Sequence, residues 1–213
     1  MNQPPRLVVL ISGAGSNLQA LIEQQQAHQT FEIVGVLSNR PQVQGLTRAS
    51  AANIATQVVD HTQYPTREAF DAEVAKVINT WQPDWIILAG YMRIMTPQLV
   101  QQFKGKLINI HPSLLPKYPG LRTHQKALEA GDHEHGSSVH FVTEELDGGP
   151  VIAQIKTPIT AQDTEQSLVE RLKTLEHRLY PQVVSWLVQG QLRLQHDNVY
   201  FNDEELSTPL IVT

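Results

Sequence analysis

Leu7-Val8-Val9-Leu10-Ile11-Ser12-Gly13-Ala14-Gly15-Ser16-Asn17-Leu18 is the stretch whose reading decides the fold. Five apolar residues in a row read as a strand covered on both faces. Glycines at 13 and 15 turn the chain, and Leu18, Leu21 and Ile22 begin a helical stripe that runs to Gln26. Strand, glycine turn and helix aim free backbone N–H groups and the positive helix end at one point, where a phosphate fits. The dinucleotide fingerprint is incomplete, because Leu18 stands at its third glycine position and the next apolar run, 33–37, ends in Ser38-Asn39-Arg40 without an acidic residue. No Gly-Lys-Ser/Thr follows, which excludes a P-loop. Two readings remain: a cradle for a single phosphate made by Gly15, Ser16 and Asn17, or a tight turn with no ligand.

Outward from this stretch the pattern repeats. Residues 45–53 read as a short helix and 56–59 as a short strand. Residues 67–80 read as a helix with Phe70, Val74 and Val77 or Ile78 inside, 84–89 and 107–110 as buried strands, and Pro97 as the start of a helix. Four or five strand–helix repeats with short connections predict an α/β fold with a doubly wound, mostly parallel sheet, whose ligands sit at the carboxyl ends of the strands. Further on, 124–130 reads as a helix, 137–142 alternates like a half-exposed strand, and 151–159 is another strand. The helix 164–189 is expected to be capped by Asp163 with Gln166 reaching back, to bury Leu168, Leu172, Leu175, Leu179 and Val183, to kink at Pro181 and to end at Gly190. Residues 192–195 and 199–201 predict an antiparallel closing hairpin, and 204–213 a loose tail. The expected organisation is one domain over 1–213, built from halves 1–104 and 105–190 with 191–213 as extension.

Three stretches carry chemistry at predicted strand ends. In Asn109-Ile110-His111-Pro112-Ser113-Leu114-Leu115-Pro116-Lys117-Tyr118-Pro119-Gly120 a strand runs into a stiff loop whose three prolines forbid a helix. Asn109 and His111, two residues apart on a strand, share a face about 6 to 7 Å apart. Gly90-Tyr91-Met92-Arg93-Ile94-Met95 places apolar side chains and one cation where a flat hydrophobic ligand can lie, or else forms loop core with a surface Arg. Asp147 precedes two glycines, either as a turn former or as a carboxylate that backbone can approach closely. Arg67, a cation in the first turn of a helix, opposes the helix dipole and is surface or an anion contact. Lys173 and Glu176 lie one turn apart and read by default as a surface pair.

Composition narrows the classes. With 41% apolar and 17% charged residues in 213, the chain can bury a core and is not a disordered one. A net charge of −5 without a basic stripe disfavours nucleic acid. The absence of cysteine removes disulfides, thiol catalysis and Cys-type zinc sites. His111, His124 and His140 match no compact ligand spacing, so no metal is expected. The longest apolar stretch, 85–92, is far short of a membrane span, and residues 1–12 are too short for a signal peptide. The expectation is a soluble, cytoplasmic protein.

Taken together, five stretches resemble one family, the folate-dependent glycinamide ribonucleotide formyltransferases of purine synthesis. They are Ile11-Ser12-Gly13-x-Gly15-Ser16-Asn17-Leu18, Ala89-Gly90-x-Met92-Arg93-Ile94, the proline-rich stretch from Asn109 to Gly120, His135-Gly136-x-Ser138-Val139-His140, and Glu145-Leu146-Asp147-Gly148-Gly149-Pro150. They occur in the family's order. The resemblance implies a Rossmann-like formyltransferase fold and a catalytic set of Asn109, His111 and Asp147. It implies that Gly15, Ser16 and Asn17 cradle the ribose phosphate, completed by Lys173 and Glu176. It places Arg67, Met92, Arg93, Ile94, Met95 and Asn109 on the folate side. Arg122 departs from the pattern, where a histidine is expected.

The implied reaction moves the formyl group of 10-formyltetrahydrofolate, the co-substrate, to the primary amine of glycinamide ribonucleotide, with no metal. Amine attack makes a tetrahedral carbon with a developing oxyanion, which the Asn109 amide and protonated His111 can hold. Asp147 beside His111 would favour the imidazolium and accept the amine's proton, directly or through a water. The implied partners are these two small molecules, with no nucleic acid and no membrane, in a monomer or homodimer. Formyl-methionyl-tRNA transferases and formyltetrahydrofolate hydrolases share the core, but the first carry a basic C-terminal domain and the second an N-terminal regulatory one, for which this chain is expected to have no room. A catalytically idle binder on the same fold is the alternative from another class.

Overall fold

The computed structural model describes residues 3–213, so the reading of the chain's start falls partly on Met1 and Asn2, which lie outside the described residues. The chain divides into two compact units, one closing at Ile108 and the other opening at Asn109.

In the first unit, β1 (Arg6–Ile11) pairs in parallel with β2 (Glu32–Ser38) and with β4 (Trp85–Leu88), and β2 pairs in parallel with β3 (Thr56–Val58), giving the order β3-β2-β1-β4. The continuous apolar run is buried on both faces, as its composition predicts: every residue from Leu7 to Ile11 is 0% exposed. The connecting helices are α1 (Ser16–His28), α2 (Gln44–Ala51), α3 (Arg67–Trp81) and α4 (Pro97–Gln102). Thr66 caps α3, and the helix buries Phe70, Val74 and Ile78 while Val77 stays half-buried. Asp71 is buried as well and accepts the Thr96 N–H at 2.6 Å, which ties α3 to the start of α4.

β5 (Leu107–His111) carries the chain into the second unit. There, α5 (Thr123–Glu129), β6 (Glu134–Phe141), β7 (Val151–Pro158) and α6 (Glu165–Val188) follow, and the strand order is β5-β6-β7-β11, with β11 at Leu210–Val212. β6 and β7 are antiparallel, whereas β11 joins β7 in parallel. The fold is thus α/β with a mostly parallel sheet. A separate antiparallel sheet is formed by β8 (Leu192–Gln195), β9 (Asn198–Phe201) and β10 (Glu204–Glu205). The predicted hairpin turns through His196 and Asp197, both left-handed at φ 50° and 62°, as a two-residue hairpin turn requires.

Five expectations are corrected here. β6 is not half-exposed: every residue from His135 to Phe141 is buried. Its polar positions alternate because Ser138 serves the proline-rich loop, donating to the Ser113 carbonyl at 2.6 Å and accepting the Leu115 N–H at 3.0 Å. The residues after 204 are not a loose tail, since β10 pairs with β9 and β11 with β7. β7 without β11 would be an edge of unpaired backbone groups, and the short apolar run Leu210-Ile211-Val212 covers it. The cap of α6 is Thr164, whose hydroxyl accepts the Ser167 N–H while the Ser167 hydroxyl takes the Thr164 N–H; Asp163 instead binds Arg171. Finally, Lys173 and Glu176 are not a surface pair. Glu176 is 9% exposed and accepts from the Ser137 hydroxyl at 2.8 Å, while Lys173 is exposed. α6 continues past Pro181 to Val188, and Leu175 is only half-buried in its stripe.

Candidate active site

The glycine turn is built as the sequence predicts. Gly15 precedes α1 in the left-handed region (φ 70°), and a Cβ there would stand 2.8 Å from the Gly45 Cα. Only glycine combines that conformation with that approach. No side chain caps α1 and no acidic residue lies in its first turn, so neither kind of acceptor competes for its N-terminal N–H groups. Ser16 is half-buried and Asn17 is 8% exposed.

Residues 92–95 leave β4 under the control of Ser12. The Ser12 hydroxyl accepts the Met92 N–H at 2.7 Å and donates to Asn39 Oδ1 at 2.5 Å, and the Ser12 N–H reaches the Gly90 carbonyl at 3.1 Å. Met92 and Ile94 are exposed at 63% and 55%, an unusual display of apolar surface, whereas Met95 is buried. The Arg93 guanidinium lies over the Phe70 ring at 5.3 Å. Arg67 is exposed at the start of the same helix, α3. Between them, Asp71 has its carboxyl pushed up by burial, against the Thr96 hydrogen bonds and the two nearby arginines.

In the second unit His111 and Asp147 come together, and Asn109 joins them through His140, whose Nε2 stands 3.8 Å from Asp147 Oδ1. His111 Nδ1 stands 3.4 Å from Asp147 Oδ2, and His111 Nε2 donates to the Tyr118 carbonyl at 2.9 Å. Both ring nitrogens therefore face oxygen atoms. Asp147 Oδ2 also accepts the Gly120 N–H at 2.8 Å. The His111 and Asp147 side chains are 7% and 11% exposed.

His140, weighed from sequence only as a metal ligand and as part of a family stretch, stands beside them. His140, 2% exposed on β6, donates from Nδ1 to the Phe141 carbonyl at 2.9 Å and so presents a lone pair at Nε2, which takes the Asn109 amide N–H at 3.2 Å. Burial pushes the His140 pKa down, in keeping with this neutral form. The signal was its place two residues after Ser138, facing the same way as the loop-binding serine. Nearby, His124 Nδ1 and His135 Nε2 share a hydrogen bond of 3.0 Å. Arg122 precedes α5 at φ 62° and bonds the Gln125 side chain at 2.9 Å.

The Asn109 amide thus meets His140, and the Asp147 carboxylate stands beside both the His111 and the His140 rings. The chain belongs to the formyl transferase family, whose model matches residues 5–184. Within that family it is similar to the phosphoribosylglycinamide formyltransferases. It is 50% identical to that of Escherichia coli, over 95% of this chain and 96% of the other. With that of Haemophilus influenzae the identity is 42%, over 94% and 95%. The solved structure of the Coxiella burnetii phosphoribosylglycinamide formyltransferase superposes with a TM-score of 0.95 at 44% identity, covering 99% of this chain and all of that one.

Proposed function

We propose that this formyltransferase moves the formyl group of 10-formyltetrahydrofolate to the primary amine of glycinamide ribonucleotide in purine synthesis, by direct attack. The observation that carries the reading is the His111 ring, fixed between the Asp147 carboxylate and the Tyr118 carbonyl and paired on the same strand with Asn109.

The amine nitrogen attacks the formyl carbon, and its oxygen takes up negative charge. The Asn109 amide keeps one N–H beyond the bond to His140, and the His111 imidazolium offers charge; both favour the oxyanion over the neutral carbonyl. One such donor is commonly worth about 3 to 4 kcal/mol. Asp147, directly or through a water, accepts the proton that the amine loses. The bond from the carbon to N10 then breaks, and N10 takes a proton. No covalent enzyme intermediate is needed.

Each unit offers binding groups for the two small molecules. The open N-terminus of α1 with Gly15, Ser16 and Asn17 suits the ribose phosphate, and Lys173 and Glu176 are assigned to the nucleotide. Met92 and Ile94 offer apolar area for the folate ring, with Met95 beneath them in the core, and Arg67 and Arg93 offer charge to an anionic part of the folate. The family and the cysteine-free composition support a cytoplasmic enzyme. No helix among the described residues is long and apolar enough to cross a membrane.

The test supplies formyl-tetrahydrofolate with glycinamide ribonucleotide and, separately, with water alone. Formylated nucleotide supports the proposal. Hydrolysis without transfer, or neither product, overturns it.

A further inference from the structure

The backbone of residues 117–120 touches both members of the ionic pair: the Tyr118 carbonyl takes the His111 Nε2–H, and the Gly120 N–H reaches Asp147 Oδ2. Carbonyls and amides of a loop are accurate partners only when the loop is held. Tyr118 is bulky and sits at φ 57°, a left-handed conformation that such a residue keeps only under restraint. The restraint comes from Asp132, in the turn between α5 and β6 and far from the pair in sequence. Its Oδ1 takes the Lys117 ammonium at 2.8 Å and its Oδ2 takes the Tyr118 hydroxyl at 2.9 Å. The Ser113 hydroxyl adds a bond to the Lys117 carbonyl at 2.6 Å. The hydrogen bonds from Lys117 and Tyr118 hold the Asp132 carboxyl below its ordinary range, so it is the charged acceptor that grips both.

We propose that Asp132 is a positioning residue for formyl transfer: by anchoring Lys117 and Tyr118 it sets the Tyr118 carbonyl against His111 Nε2 and so fixes the orientation of the imidazole that meets the oxyanion. This rests on the reaction proposed above. Asp132 touches neither His111 nor Asp147 by any hydrogen bond; its influence passes through the loop. A loosened loop lets the ring rotate, and misplacement by about 1 Å can cost on the order of 100-fold in rate.

The experiment compares Asp132→Ala, Asp132→Asn and Tyr118→Phe by steady-state kinetics and by NMR of the imidazole N–H protons. Asp132→Ala is expected to lower kcat by about 10- to 100-fold with both KM values within about threefold. Asp132→Asn keeps an acceptor for the Tyr118 hydroxyl and is expected to recover kcat to within about fivefold of the parent. Because Asp132 acts through His111, Asp132→Ala added to His111→Ala is expected to lower kcat no further. By NMR, a slowly exchanging imidazole proton that His111→Ala removes is expected in the parent and in Asp132→Asn, and absent in Asp132→Ala. Parental kcat in Asp132→Ala, an equal loss in the His111→Ala background, or persistence of the proton signal in Asp132→Ala overturns the proposal. If the parent transfers no formyl group, the reading of the reaction fails, and the proton signal by itself decides the anchor.

Discussion

The His140 ring accepts a hydrogen bond from the Asn109 amide at 3.2 Å while its other nitrogen is committed to the Phe141 carbonyl. This fixes which end of the Asn109 side chain is which. A donor points at His140, and the same nitrogen keeps a second hydrogen for the reaction. His140→Ala is expected to lower kcat by about 10-fold or more, with nucleotide affinity measured by calorimetry nearly unchanged. A lost affinity with intact kcat would show that His140 serves the fold or the nucleotide instead.

Asp147→Asn removes the carboxylate beside His111 but keeps an oxygen for the Gly120 N–H. Turnover is expected to fall by orders of magnitude, on the scale of about 100- to 10,000-fold for a lost proton acceptor. Nucleotide binding is expected to stay close to the parent's. Normal turnover in this variant removes Asp147 from the mechanism.

Stability is expected to depend on acid through the two histidines outside the reaction. His135 is 1% exposed, and its pKa is pushed down to about 4, first by burial and then by the charge of His124. His124 is lowered too, chiefly by burial. In the unfolded chain each titrates near pH 6.5. Between about pH 6.5 and 4 the unfolded state therefore binds protons that the folded state refuses. Stability is full above that window and is lost as pH falls through it, by up to roughly 3 kcal/mol for His135. Denaturant melts at pH 7.5 and 4.5 should show a smaller drop for His135→Gln than for the parent. An unchanged drop refutes this account.

Gly15→Ala meets both a left-handed backbone and the Gly45 Cα at 2.8 Å. Backbone cannot yield as a flexible side chain does, so the turn must shift. The expected cost is about 1 to 3 kcal/mol in stability, with a nucleotide KM raised about 10-fold or more if the N–H groups of α1 hold its phosphate. A KM that stays at the parental value argues for the tight turn with no ligand.

Deleting residues 207–213 strips β11 from β7 along with the contact of Arg178 with the Thr213 carbonyl. A loss of about 1 to 3 kcal/mol is expected, together with concentration-dependent association through the bared strand. Light scattering and thermal melts of the shortened chain read both.

What could be read from residues was what repeats. The apolar runs at 7–11 and within 84–89, the helical stripe of Phe70, Val74 and Ile78, and the closing hairpin of 192–195 with 199–201 each follow a local rule, and the structure obeys it. What escaped depends on distant partners. Ser138 and His140 look like the wet face of a strand, yet Ser138 is buried on the loop at 113–115 and His140 on Asn109. Residues 210–212 are apolar but only three long, too short a run to announce a strand, and they form one because β7 has groups to satisfy. Asn109 and His111 were visible as a pair two apart on a strand. Their distances to His140 and Asp147 belong to the fold and not to spacing along the chain.

The parallel pairing of Leu210, Ile211 and Val212 with Ala153, Gln154 and Ile155 also orders events in time. A parallel neighbour cannot be reached by a tight reversal, so α6 and the whole small antiparallel sheet must be synthesised before this strand exists. On the ribosome the second unit therefore stays incomplete until its last strand has cleared the exit tunnel, whereas β1 to β4 need nothing from beyond residue 108 to pair with one another.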